Sequence, residues 1–538
     1  MCTAAVLALG APAGAQAFGL ISSFAPTGRA AGQSMLPSGL AVGPDGLLYV
    51  AAFSNSRVEV FSPDGTFIRA FGKGVNPAGG DVCTAATGCQ VGNSNPLAGA
   101  IYAPSGIDID PTTGRLYVTS WGNYRIDVFS PAGTFLHAFG KGVGQHGGDL
   151  CTAESGCKQG VGDGSAGSLY APSGVALDPI TERLYVAGPN DRIDVFYAAG
   201  GFILAFGKGV NPAGGDVCTA ATGCQKGEEV GSAGALFNPF DVAIGADNQI
   251  AVSNGGNRRI DVFSPDGTFL HAFGKGVNPA GGNLCTATTG CIKGTEGAAA
   301  GELGRPNGIA VDGDGNLVIA DLTQHRVGEF AFDGTFIRAY GEGVVNGEPT
   351  FQVCSTATGC QAGNPSENPG SLRLAYAIEV DCRGAIYAST VPGLSKTPQI
   401  HRFGEPATGS PPCLPPTSPE STSSPTTSLS SSLSLSESRT AKPRFRIELN
   451  KWDGTATLAV TVSDPGMLLL RGKGIRKVKR QAKRIGLVEL LLESTGKVKR
   501  KLKKTGKAKV KMSLTFTPDQ GEPSTQDKPV ALKMAPHS

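Results

Sequence analysis

The chain is short of the residues that most enzyme chemistry uses. Its 538 residues include only six His, two Trp and five Met, and charged side chains make up just 17%. Six scattered histidines leave little material for a three-histidine metal centre. No stretch beyond the first residues reaches the ~18 unbroken apolar residues that a membrane-spanning helix needs. Neither the Gly-x-Ser-x-Gly elbow nor a phosphate-binding glycine loop occurs, and no pair of acids stands in a convincing catalytic setting. The basic clusters carry no interleaved aromatics on which bases could stack, so nucleic acid is not an expected partner.

Glycine and proline are abundant instead, at 78 and 36 residues, which signals many turns and few helices. Ten of the 13 cysteines form five pairs with one spacing: Cys83/Cys89, Cys151/Cys157, Cys218/Cys224, Cys285/Cys291 and Cys354/Cys360. Each pair marks the same point of a repeat of roughly 67 residues, starting at Pro37, Pro104, Pro172, Pro239 and Pro306, with a degenerate sixth near Ala375. A fixed period of that size means stacked supersecondary units. Regular short-range cysteine pairs point to disulfide-closed small loops made in an oxidising compartment. Residues 1–17, with an apolar run from Val6 and Ala15-Gln16-Ala17 before Phe18, read as the remnant of a signal peptide. The expected location is therefore secreted or cell surface.

Within a repeat, turn signals separate four β-rich segments. Asp45-Gly46, Asp64-Gly65, Asp266-Gly267, Asp314-Gly315 and Asp333-Gly334 suit tight hairpins, and Val, Ile, Phe and Tyr alternate between them. Four antiparallel strands repeated around an axis make propeller blades. Asn123-Tyr-Arg-Ile, Asn257-Arg-Arg-Ile and Gln324-His-Arg-Val, each after a strand and before Phe-x-x-x-Gly, resemble the NHL repeat over roughly Phe18 to Pro406. The resemblance implies a six-bladed β-propeller. The last unit offers only three strands, while Leu20-Ile-Ser-Ser-Phe24 looks like an isolated fourth. Residues 20–24 are therefore expected to close the last blade, leaving no free edge.

The expected organisation is all-β: an NHL-type propeller over 18–408, a Ser/Thr/Pro-rich linker over 409–440, and a small Ig-like β-sandwich over 441–538. Charge divides along the same lines. From Lys442 onward 23 Lys/Arg stand against 8 Asp/Glu, whereas the rest of the chain has 24 against 36. The basic C-terminal domain, with Arg476, Lys477, Lys479, Arg480, Lys483, Arg484 and the run from Lys497 to Lys511, is expected either to hold an anionic envelope polymer or simply to be a solvated face.

Insertions of about 30 residues, such as Lys73 to Ala103, should crown one face of the ring, each limited in its freedom by its cysteine pair. Phe53, Trp121, Tyr124 and His325 fall in turns on that face and are the expected ligand-binding residues. Arg57, Arg125, Arg192, Arg259 and Arg326 recur once per repeat and read as a structural ring. The NHL family pairs this arginine with an upstream Asp, but only Asp321 is in place here, so another partner is required. Asp81, Asp149 and Asp216, with Asn283 in the fourth copy, either cap a local turn or offer one Ca²⁺ ligand per loop. A sixth disulfide, Cys382–Cys413, is expected at the end of the propeller.

Two functions stay open. The first is a non-enzymatic binding or scaffold protein without cofactor or metal, taking an extracellular protein or glycan on the disulfide-crowned face. The second is a metal-dependent hydrolase or lyase, like the gluconolactonase and streptogramin-lyase propellers. Its carboxylates would come from Asp108, Asp110, Asp178, Asp241, Asp312, Glu379 and Asp381.

Overall fold

The computed structural model describes residues 18–245, 247–368, 370–391, 398–404, 444–449, 455–462, 466–482, 486–505, 507–518 and 524–533. The signal-peptide segment, the linker and Cys413 lie outside these residues. The chain divides into two units, Met1–Ser418 and Pro419–Ser538.

In the first unit each repeat folds into one antiparallel sheet. The first comprises Pro37–Val42, Leu48–Ala52, Arg57–Phe61 and Phe67–Phe71, paired in chain order. Gly46 and Gly65 sit at φ +74° and +89°, the left-handed turn conformation that a side chain would resist. Each of these five sheets carries a fifth strand that the four-strand reading did not anticipate. Val82–Cys83 pairs with Phe67–Phe71, and Leu150–Cys151, Val217–Cys218, Leu284–Cys285 and Phe351–Cys354 do the same in the later repeats. A strand of two residues has no periodicity to read, yet it covers part of an otherwise open edge.

The cysteines pair as their spacing predicts: Cys83–Cys89, Cys151–Cys157, Cys218–Cys224, Cys285–Cys291 and Cys354–Cys360. Their setting adds detail to the expected closed loops. The first cysteine of every pair is a fully buried member of the fifth strand, so each bridge is anchored in a sheet. The second cysteines are not alike. Cys157 and Cys291 are buried, whereas Cys89, Cys224 and Cys360 are only half-buried at the loop end of their bridges. Part of the cover over Cys157 comes from Gly144, with which it forms an isolated β-bridge. Neither Cys89 nor Cys360 has such a bridge.

The sixth sheet is built differently. Ala375–Val380, Ile386–Thr390 and Pro398–Gly404 run in order, and Gly19–Pro26 from the other end of the chain pairs with the last of them. Among the described residues this unit thus holds six sheets, and their first strands neighbour one another in a closed cycle, from Pro37–Val42 round to Ala375–Val380 and back.

Phenylalanines fill the seams between sheets. Phe71 meets Phe129 at 5.3 Å between ring centroids, and Phe129 meets Phe135 at 5.7 Å. The same triad recurs as Phe139–Phe196–Phe202, Phe206–Phe263–Phe269 and Phe273–Phe330–Phe336. At the closure Phe24 of the N-terminal strand takes the leading place against Phe61 and Phe67. Burying one such ring stabilises by about 1.5–3 kcal/mol, with roughly 0.5–1.5 more from ring geometry.

The second unit contains two antiparallel sheets. One orders Arg444–Leu449, Thr455–Val462 and Gly486–Glu493; the other orders Val478–Ala482, Gly466–Gly472, Lys507–Pro518 and Ser524–Lys533. A ten-residue helix spans Gly496–Thr505. Ala508, Val510, Met512, Leu514 and Phe516 are buried while Lys509 and Lys511 between them are exposed, the alternation of a one-faced strand.

Candidate functional site

The recurring spacing within each repeat first builds a rigid frame. Arg57, Arg125, Arg192, Arg259 and Arg326 are fully buried at the start of the third strand of each sheet. The partner of four of them is the acid two residues on, which a strand places on the same face: Arg57–Glu59, Arg125–Asp127, Arg192–Asp194 and Arg259–Asp261, at 2.6–2.9 Å. Arg326 has Gly328 at that place. The remaining guanidinium hydrogens go to backbone carbonyls of two successive insertions. Arg125 donates to Pro96, Leu97 and Ala100 in the preceding one and to Lys158, which follows Cys157, in the next. The same bond to the residue after the second cysteine recurs in every copy. Arg57 reaches Gln90 after Cys89, Arg192 reaches Gln225 after Cys224, Arg259 reaches Ile292 after Cys291, and Arg326 reaches Gln361 after Cys360. The arginine therefore ties each disulfide loop to the sheet beneath the crown.

The acids before the cysteines are spent locally. Asp81, Asp149 and Asp216 accept the backbone N–H groups of Gly74, Gly142 and Gly209 at 2.8–3.0 Å. Asn283 accepts that of Gly276 with a neutral amide oxygen at 3.0 Å. A position that works equally well without charge is a turn cap.

On the crowned face, the turn after each second strand docks on the residue that precedes the first strand. Phe53 N–H donates to Leu36 O, and Trp121 N–H to Ala103 O. This register brings aromatics of successive repeats together. Phe53 and Trp121 lie 6.0 Å apart, and Tyr124 lies 5.2 Å from Tyr170. Trp121, Tyr102 and Tyr170 are 41%, 45% and 44% exposed. Tyr102 and Tyr170 escaped the sequence reading, although both stand at one repeat position, two residues before the prolines Pro104 and Pro172. Tyr102 lies over Gly122, where any side chain would collide with its ring at 2.2 Å. His325 is set apart from this strip. Its Nδ1 accepts the backbone N–H of Leu374 at 3.0 Å, joining the fifth and sixth repeats, and burial holds its pKa below the usual histidine value.

The channel inside the ring is narrow for a stated reason. A Cβ on Gly106 would lie 2.3 Å from the carbonyl oxygen of Ser173, and one on Gly39 2.5 Å from that of Ser105. The glycines let neighbouring first strands approach almost backbone to backbone. At the crowned end Phe240 and Tyr376 stack edge to face across the ring at 4.9 Å. Beneath them lies a void of about 20 Å³, and toward the opposite end a cavity of about 200 Å³.

Three of the seven inner-strand acids line that cavity: Asp108, Asp241 and Glu379, from alternate sheets. Asp108 accepts N–H groups from Ile109 and, across the seam, Leu177. Asp241 likewise accepts from Val242 and from Ile309 of the next sheet. Burial pushes the Asp108 carboxyl up to about 6 and that of Asp241 up to about 7, and it holds Glu379 well above the carboxylate range; the charge of Asp108 raises the other two further, and Asp241 adds to Glu379. The other four acids cap the hairpins at the far end. Asp110 holds Thr112 and Thr113, Asp178 holds Ile180 and Thr181, Asp312 holds Asn316, and Asp381 holds Arg383 and Ala385. Among the described residues no three His, Cys, Asp or Glu side chains are placed to hold a metal ion. The channel acids do not fit a metal centre, because Asp241 stands one pleat above Asp108 and Glu379.

Cys382 is disulfide-bonded. No helix among the described residues is long and apolar enough to cross a membrane. In the second unit Arg476, Lys477, Lys479, Arg480, Lys497, Lys499, Arg500 and Lys501 are exposed.

No family model matches the chain, and no curated protein does. Solved structures similar to it include a streptogramin B lyase, at 13% identity and TM-score 0.38, covering 72% of this chain and 97% of that one. A virginiamycin B lyase from Staphylococcus aureus shares 11% identity at TM-score 0.36, covering 68% and 94%. A gluconolactonase from Xanthomonas campestris shares 15% at TM-score 0.36, covering 74% and 99%. At these values the likeness carries neither a residue correspondence nor an activity. The chain is similar to propeller-type proteins in being all-β, built of four- and five-stranded antiparallel sheets.

Proposed function

We propose that the chain is an exported six-bladed NHL-type propeller that binds an extracellular glycan or protein on its disulfide-crowned face. A basic Ig-like sandwich would attach it to an anionic envelope polymer, and Cys382–Cys413 would pin the end of the ring. The observation that carries this reading is the aromatic strip of Phe53, Trp121, Tyr102, Tyr124 and Tyr170 over the first three repeats. Large rings left open on a frame stiffened by disulfides and buried arginines are ordered before any ligand arrives, so binding costs little further entropy. Rings of this kind dominate interface energetics.

The test is affinity of the full chain for an immobilised panel of extracellular polysaccharides and matrix proteins, with Trp121→Ala and Tyr170→Ala beside it. A ligand whose affinity falls on the order of 10- to 30-fold in these variants supports the reading. Affinities that ignore both substitutions remove the aromatic strip as the contact surface.

The channel carboxylates favour a second reading, a hydrolase or lyase working by proton transfer. Groups raised to about 6 and 7 suit general acid–base work near neutral pH. A metal-dependent form of it, gluconolactonase-like or streptogramin-lyase-like, lacks a fitting ligand set here. Turnover that disappears in Asp241→Asn while Trp121→Ala leaves it intact would favour the enzyme over the binding module.

A further inference from the structure

The repeats serve as their own controls on the crowned face, and the third to fifth depart from the rest. A concave site of about 390 Å³ lies there, at the small end of ligand-pocket sizes. Its floor is the ring of Phe237, at the repeat position of Tyr102 and Tyr170, packed on Gly256, where a Cβ would fall 2.6 Å from the ring. Lys293 stands over that ring, its Nζ 5.6 Å from the centroid. The corresponding places after the other second cysteines hold Val91, Gln159 and Ala362, apart from Lys226. Arg305 lines the opposite wall, where the repeat elsewhere puts Leu36, Ala103, Ala171, Asn238 or Leu374.

The charges in this pocket sort into two kinds. Lys226 is neutralised by Asp191 at 3.0 Å and by Glu229, and Arg258 faces Glu296 at 3.5 Å. Lys293 and Arg305 have no carboxylate partner among the described residues, and both are exposed. Two uncompensated cations therefore flank one aromatic face in a concavity, and carboxylates stand on the far wall.

We infer that this pocket binds a carboxylate-bearing sugar, a uronic-acid residue of an extracellular polysaccharide. The inference rests on the crowned-face reading and adds to it the ligand's chemistry and its place. The planar fork of Arg305 matches a carboxylate in two hydrogen bonds, and Lys293 supplies a second charge. The pyranose C–H face lies on Phe237, whose negative ring face attracts positively polarised hydrogens. The exposed Glu229 carboxylate is an acceptor for a sugar hydroxyl, whereas Asp191 is buried and held by Asn238 N–H and Lys226. An acidic peptide has no use for carboxylates in its own site, which decides for a polyhydroxylated anion.

The experiment is calorimetric titration of the full chain with tetragalacturonate, neutral galactotetraose and polyglutamate. Arg305→Gln, Lys293→Gln and Trp121→Ala are titrated beside it. Tetragalacturonate should bind, at least tenfold tighter than the neutral tetramer, more weakly at high salt, and at least tenfold more weakly in Arg305→Gln and in Lys293→Gln. Unchanged affinity in those two variants overturns the proposal, since binding would then lie elsewhere, as on the basic second unit. Binding lost in Trp121→Ala but kept in the pocket variants also overturns it while leaving the crowned-face reading standing. Equal affinity for polyglutamate overturns the sugar assignment, and no binding of tetragalacturonate overturns the whole.

Discussion

Five sheets of the ring and the sixth solve the same problem with different materials. The five carry a disulfide-closed fifth strand, and each has a buried arginine tied to two insertions. Among the described residues the sixth has neither. At the places of Arg192 and Asp194 it carries Gln399 and His401, both buried, and its outer strand comes from the other end of the chain. His401 Nδ1 accepts from Gly370 N–H at 3.3 Å and bonds the Ser23 hydroxyl at 2.8 Å, so a neutral ring takes over where a charged pair works elsewhere. The repeats are stapled from within, while the closing sheet is held by the pairing of Gly19–Pro26 with Pro398–Gly404.

The largest effect should follow from removing residues 18–26. This uncovers the edge of Pro398–Gly404 and deletes Phe24 from its seam with Phe61 and Phe67. The expected outcome is loss of the cooperative thermal transition and growth of aggregates in size-exclusion chromatography. A monomer with an unchanged melting point would show that closure does not depend on this strand.

Next comes the buried pair itself. Arg192→Ala strands the Asp194 carboxylate and opens four carbonyls, so it should cost about 3–5 kcal/mol in denaturant unfolding. Arg192→Gln with Asp194→His copies the closing sheet's arrangement and should cost clearly less. Equal losses would mean that the neutral pair works only beside the N-terminal strand.

Part of this contrast could be read in the chain beforehand. The 67-residue period, the paired cysteines and the incomplete last unit carry the repeated architecture, because each repeats a local pattern that sequence alone displays. Identical spacing did not reveal unequal cover, however: Cys89 and Cys360 stay half-buried where Cys157 and Cys291 are enclosed, and that depends on neighbours outside the motif. Arg57 and its copies were legible as structural for the same reason as the period, though their partner stayed open until the strand placed the acid two residues on beside each of four of them. The fifth strands, two residues long in four of the five sheets, were not legible, having no period. The crowned face was legible only in half: Trp121 and Tyr124 sit in obvious turns, but Tyr102 and Tyr170 meet them only once the turn docks on the residue before the next first strand. The channel acids were a set of seven in sequence. Position along the strand separates Asp108, Asp241 and Glu379, which lie within first strands and line the cavity, from the four at strand ends that cap hairpins.

A pH titration sharpens the comparison because the two regions carry opposite signs. Burial lowers the His401 pKa to about 4, below its unfolded value. Its contribution is complete above about pH 6.5 and is lost as pH falls toward 4, worth on the order of 3 kcal/mol. Asp108 and Asp241 are raised to about 6 and 7, so what they contribute is present in acid and lost as pH rises through those values. Above about pH 4 the two carboxyls outweigh the single histidine, so thermal midpoints should be highest near pH 4 and fall toward about pH 7. His401→Gln should steepen that fall and Asp241→Asn should flatten it. A profile unchanged by either substitution would remove these groups as its cause.

The smallest effect concerns the disulfides. Cys218→Ser with Cys224→Ser opens a loop of only six residues' separation, for which loop entropy gives about 2 kcal/mol. The Arg192 bond to the carbonyl of Gln225 already anchors that loop at its base. If the two devices share one task, breaking both should cost less than the sum of the separate losses, as coupled neighbours do. If the losses add, the disulfide acts on the unfolded chain alone. Native-state hydrogen exchange at residues 209–225 separates the cases: shared work predicts faster exchange in either single variant, whereas an unfolded-state effect leaves local opening of that loop unchanged.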